Sequence, residues 1–274
     1  MPRRVGSRTV ARIRTTMFKT KFIHQLNLLL GVLAFAAATA RAEDLDPELM
    51  QKRCQFESQR NKALSLGYLL YLPKDYNAQD TARKWPLMLF LHGAGERGTN
   101  VAKVAAHGPP KLAKNKQDLP FIVVSPQCPT GRRWDNETLL ALLDDVIAHH
   151  RVDTGRVYLT GLSMGGYGTW SLGLAHPDRF AAIAPICGGG NLILALLPDP
   201  KQQAMLKTLP IWAFHGGKDN VVPPTESERM IAAAKKAGCT DVQLTIYPNA
   251  GHDSWTESYN NPKLFEWFLA HERK

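Results

Sequence analysis

The chain has 274 residues, 44% of them hydrophobic and 21% charged. That is enough apolar material to bury the core of one α/β domain, and it excludes a disordered or fibrous chain. The net charge of +10 suggests a polyanionic partner, but residues 1–42 carry eight basic residues and no acidic one, leaving +2 for residues 43–274. A nucleic-acid partner is therefore not expected.

Residues 1–42 read as a signal peptide. A basic stretch precedes an apolar run from Leu28 to Ala38, and the small residues Ala40 and Ala42 precede Glu43. Met17 offers an alternative start. A retained anchor would need about 20 apolar residues, more than this run supplies. Cleavage after Ala42 leaves residues 43–274 as one secreted or periplasmic domain with no membrane attachment. In such an oxidising compartment Cys54, Cys128, Cys187 and Cys239 allow two disulfides in three pairings. Cys128–Cys187 is favoured, because both follow predicted strands at one sheet edge. No C-x-x-C spacing points to a structural metal.

In chain order, Leu64–Leu72 reads as a strand stopped by Pro73. Buried strands follow at Leu87–Leu91, Phe121–Val124, Val157–Thr160, Ala181–Ile186, Ile211–Phe214 and Val242–Tyr247. Helices are expected from Asp135 towards His150, directly after Ser163, from Thr225 to Lys236 and from Pro262. Strands alternating with helices predict a mostly parallel twisted sheet with helices on both faces. In that architecture the functional residues stand beyond the carboxyl ends of the strands.

One such end carries Gly161-Leu162-Ser163-Met164-Gly165, a G-x-S-x-G elbow between strand and helix that exposes the Ser163 hydroxyl. A serine nucleophile needs a histidine base and a carboxylate to orient it. Asp219 follows one later strand and His252 the next, giving the order Ser, Asp, His that this elbow uses. Glu226 is the alternative acid. His92 and His215 end strands before glycine and brace loops; His149, His150 and His176 lie at helix ends. The backbone N–H groups of Met164 and Ala94 are the candidate oxyanion donors, Ala94 from the loop His92-Gly93-Ala94-Gly95-Glu96-Arg97-Gly98. Within that loop Glu96 and Arg97 look like an ion pair. No G-K-[ST] or dinucleotide fingerprint is present, and the constellation calls for no cofactor and no metal.

The His92–Gly98 loop, Ser125-Pro126-Gln127-Cys128-Pro129, Thr160–Trp170, Pro185–Gly190 and Gly251-His252-Asp253-Ser254-Trp255 together resemble the secreted α/β-hydrolase carboxylesterases related to prolyl oligopeptidase and polyhydroxybutyrate depolymerase. The resemblance runs from about Tyr68 to the C-terminus. It implies a serine esterase with Ser163, Asp219 and His252 as triad and Ala94 with Met164 as oxyanion donors. Trp134 either walls the substrate site or packs in the core, and Tyr167 is expected to pack. The short connection from Gly190 to Leu209 leaves no large lid. The implied substrate is therefore a short-acyl or aromatic-acyl ester, small or carried on a polysaccharide. A serine peptidase and a non-catalytic binding protein are the competing readings.

Overall fold

Alternation along the strands explains how one sheet organises two cores. In β4 (Trp85–Leu91), Leu87, Leu89 and Leu91 point into one apolar cluster while Met88 and Phe90 point into the other. The computed structural model describes residues 45–273 apart from Ala78 and Thr81. The signal-peptide reading of residues 1–42 lies outside the described residues.

The other strands are β1 (Leu45–Asp46), β2 (Gln51–Glu57), β3 (Ser65–Tyr71), β5 (Ile122–Pro126), β6 (Val152–Leu162), β7 (Ala182–Ile186), β8 (Ile211–Gly216) and β9 (Val242–Tyr247). They form one sheet in the order β1-β2-β3-β5-β4-β6-β7-β8-β9. From β5 to β9 all neighbours are parallel; β1, β2, β3 and β5 pair antiparallel.

Helices α2 (Asn136–His149), α3 (Met164–Ala175) and α6 (Thr225–Lys236) cover the face that holds Leu87, Leu89 and Leu91. On the opposite face lie α1 (Gly108–Lys114), α7 (Trp255–Asn260) and α8 (Pro262–Leu269). Between β7 and β8 the chain makes only the short helices α4 (Leu192–Leu196) and α5 (Pro200–Leu206), so no large lid is inserted there. The predicted parallel, doubly covered sheet is the one observed. Among the described residues no helix is long and apolar enough to cross a membrane.

No disulfide is formed, contrary to expectation: Cys54, Cys128, Cys187 and Cys239 are all buried thiols. The strand order gives the reason for the favoured pair. Cys128 follows β5 and Cys187 follows β7, and β4 and β6 run between those strands. Three strand spacings amount to about 14 Å, twice the Cα separation that a disulfide spans.

Candidate active site

The carboxyl end of β6 sits beside that of β4, with Leu91 paired to Gly161, so the loops that leave these two strands meet. Ser163 occupies the turn between β6 and α3 at φ 53° and ψ −116°, a conformation that L-residues rarely adopt. The turn closes only because its flanks are glycine. A Cβ on Gly161 would stand 2.6 Å from the carbonyl oxygens of Gly165 and Leu91, and one on Gly165 would collide with the Leu91 carbonyl. The Ser163 N–H donates to Ile186 O, fixing the elbow to the end of β7.

β8 and β9 deliver the other two groups to the same edge. The Ser163 hydroxyl donates to His252 Nε2 at 2.9 Å, and His252 Nδ1–H donates to Asp219 Oδ2 at 2.7 Å. These bonds select the Nδ1–H tautomer of His252 and leave Nε2 ready to accept a proton. Asp219 Oδ1 accepts from the N–H groups of Val221 and Val222, each at 2.9 Å. Burial alone would raise this carboxyl, but the bonds from His252, Val222 and Val221 outweigh it and hold Asp219 below its ordinary value. Asp219 Oδ2 also lies 3.2 Å from Nε2 of the fully buried His215. That nitrogen faces Val222 O at 2.9 Å as well, so it carries the hydrogen. Glu226, the alternative acid, is instead paired to Arg229 at 2.7 Å on α6.

Both candidate oxyanion amides open a helical turn. Met164 is the first residue of α3, and Ala94 is the first of the 3-10 turn Ala94–Glu96. An N–H at that position has no acceptor earlier in its own helix and is free for a ligand. The loop that carries Ala94 is braced from below by His92, whose Nδ1–H donates to Gly93 O at 2.6 Å and whose Nε2 accepts from the Cys128 N–H at 2.9 Å. Burial holds His92 down to about 4, so it stays neutral.

Glu96 and Arg97 do not pair. Arg97 donates to the carbonyls of Ala94 and Arg132, while Glu96 faces His92 and His107 at 3.9 and 3.8 Å. Trp134 donates through Nε1 to His92 O at 3.1 Å and stands edge-on to the His92 ring. It also lies against Gly168 of α3 and lines a cavity of about 310 Å³, so packing and lining are both part of its position. Tyr167, expected to pack, is 40% exposed on the first turn of α3.

Two neighbours of the site were given no role there by the sequence, although Cys187 was placed at this sheet edge. Trp255 stands edge-on to His252, and Cys187 occupies φ 40° at the end of β7. The Cys187 sulfur, an Asp219 oxygen and a His252 nitrogen lie within 4.8 Å of one another, a spacing that metal sites also show. Here the donors are committed elsewhere. Asp219 and His252 bond each other, and burial pushes the Cys187 thiol up to about 12, away from the thiolate that a metal takes.

Residues 128–263 match the Dienelactone hydrolase family. A bifunctional acetylxylan esterase/xylanase of Neocallimastix patriciarum is 32% identical over 154 residues, 54% of this chain and 21% of that protein. A poly(3-hydroxyoctanoate) depolymerase of Pseudomonas fluorescens is 27% identical over 184 residues, 59% of this chain and 63% of that one. In both, the aligned stretch spans less than two thirds of the relative's own length. Among solved structures, a thermostable esterase superposes with a TM-score of 0.69 at 32% identity, covering 81% of this chain and 63% of its own. The chain thus has the α/β-hydrolase fold and is similar to the Dienelactone hydrolase family, to polyester depolymerases and to a thermostable esterase.

Proposed function

We propose that the chain is a serine carboxylesterase that cleaves short-acyl or aromatic-acyl esters, small or attached to carbohydrate, through an acyl-enzyme. One observation carries this reading: the continuous hydrogen-bond chain from Asp219 through His252 to Ser163. Ser163 Oγ attacks the ester carbonyl while its proton passes to His252 Nε2, and Asp219 stabilises the imidazolium that forms. The Ala94 and Met164 N–H groups receive the developing oxyanion. His252 then returns the proton to the departing alcohol. Water, deprotonated by the same nitrogen, releases the acid and restores Ser163.

The acyl preference rests on the short connection from β7 to β8. Leu197 is 77% exposed there, and among the described residues this connection holds only the short helices α4 and α5, too little to shelter a long tail. At about 0.8 kcal/mol per buried CH₂, methylenes that stay in water add no affinity. The acetylxylan esterase/xylanase relative favours a carbohydrate carrier. The leader pattern in residues 1–42 supports export before the enzyme acts.

The test is kcat/KM on acetyl, butyryl, feruloyl and palmitoyl esters. Acetyl or feruloyl is expected to lead. A preference for palmitoyl, or cleavage of aminoacyl amides in place of esters, overturns the reading.

A further inference from the structure

One cavity among the described residues lies away from the serine. It is a trough of about 790 Å³ lined by residues that include Arg53, Gln55, Gln59, Ser65, Thr99 and Gln127. Topology puts it at the right edge of the sheet. β3 runs antiparallel to β5, with Tyr68 opposite Pro126, so the start of β3 and the hairpin turn before it project past the carboxyl ends of the parallel strands. The trough therefore lies between that hairpin and the loop that carries Ala94. It shares Ser65, Leu66 and Pro129 with the 310 Å³ cavity beneath Trp134, and the two form a run from the hairpin towards the elbow helix.

We infer that this run is the subsite for the carbohydrate chain that bears the ester, an inference that rests on the esterase reading above. The lining chemistry selects a neutral polyhydroxyl ligand. Amides and hydroxyls each donate and accept, as sugar hydroxyls do. Gln55, Gln59 and Thr99 are exposed and supply such groups. The charges do not add up to a field: Arg53 is bonded to Asp46, and Glu57 stands on the same wall. A polyanion gains little there, and a polyester, which carries no donors, cannot match acceptors such as the Gln55 amide oxygen, whose Nε2 already donates to Ser65 Oγ at 2.9 Å. At the far end Trp134 offers a flat ring of the kind that stacks on a sugar face.

The subsite is tied mechanically to the oxyanion loop. Gln127, 4% exposed on the trough floor, donates through Nε2 to Glu96 O at 2.7 Å and to Asn100 O at 2.9 Å. The Gly98 N–H donates in turn to Cys128 O at 3.0 Å. A chain lying in the trough thus bears on the segment that presents Ala94.

The test measures binding and turnover separately. Titration calorimetry follows an unesterified linear xylo-oligosaccharide and, in parallel, a soluble 3-hydroxybutyrate oligomer. Kinetics compare an acetylated xylo-oligosaccharide with nitrophenyl acetate. Thr99→Trp fills the trough and Gln55→Ala removes one partner; both positions are exposed, so folding is not at stake. The wild type is expected to bind the xylo-oligosaccharide. Thr99→Trp should weaken it about tenfold or more and lower kcat/KM on the sugar ester about tenfold relative to nitrophenyl acetate, with Gln55→Ala intermediate. No binding, binding of the polyester oligomer alone, or equal losses on both esters overturns the subsite. Sugar binding without hydrolysis of either ester would sink the esterase reading and leave the subsite standing.

Discussion

Trp255 stands edge-on to His252, the ring centroids 5.3 Å apart and the planes 88° apart, and His107 packs on Trp255 at 5.4 Å. The imidazole is thereby held between an aromatic wall and the Asp219 carboxylate, with one direction left for its Nε2: the Ser163 hydroxyl. Trp255→Ala should leave the triad groups intact but free the ring to rotate. The expected result is a fall in kcat of about tenfold or more with KM little changed, as a misplaced base costs the transition state and not the bound ester.

Ser163→Ala should remove turnover by a factor of roughly 10⁴ or more while the unfolding midpoint stays near that of the wild type. A serine-directed phosphonate followed by peptide mass analysis is the check, with label expected on Ser163 alone.

Asp219→Asn is nearly isosteric, yet its amide can turn an N–H towards His252 and favour the tautomer in which Nε2 carries the proton. Activity should fall by about 10³ to 10⁴. Backbone bonds from Val221 and Val222 keep the loop in place, so circular dichroism should be unchanged.

His92 predicts acid sensitivity. Its value is about 4 in the folded protein against 6.5 as reference, so between those pH values the unfolded chain binds the extra proton. The associated stability is intact above about 6.5 and is lost progressively as pH falls to 4, to a total of about 3 kcal/mol. Urea midpoints across this window should fall with pH, and a His92→Gln variant should show a shallower slope.

Two glycines separate backbone need from habit. Gly165→Ala drives a methyl into the Leu91 carbonyl and should cost more than about 4 kcal/mol or prevent folding. Gly95→Ala meets nothing within 4 Å and should be neutral or stabilising by up to about 1 kcal/mol. Thermal melts of the pair provide the contrast.

The parallel strands were legible because each contains an apolar run bounded by turn residues; β9 was read to its last residue as Val242–Tyr247, whereas β6 extends back from the predicted Val157 to Val152 through polar residues. The elbow was legible because its glycines are irreplaceable. β2 was not, since Gln51-Lys52-Arg53-Cys54-Gln55-Phe56-Glu57 is mostly polar and lies near the sheet edge, where side chains reach water. Nor was the fate of Glu96 and Arg97, because neighbours in sequence point apart and each finds its partner in another loop. Trp255 follows His252 by three residues, close enough to suspect, but its ring contact depends on the start of α7.

Gly216 at the end of β8 lies so near the Gly251 and Ala250 carbonyls that no side chain fits between them, just as Gly161 does against Leu91 and Gly165. The Asp219 and His252 loops are thus spaced by peptide planes in contact, as the serine elbow is against the end of β4. Side chains elsewhere in those loops can be exchanged during evolution without moving the serine, the imidazole or the carboxylate. New surroundings can then arise around an unaltered arrangement of Ser163, His252 and Asp219.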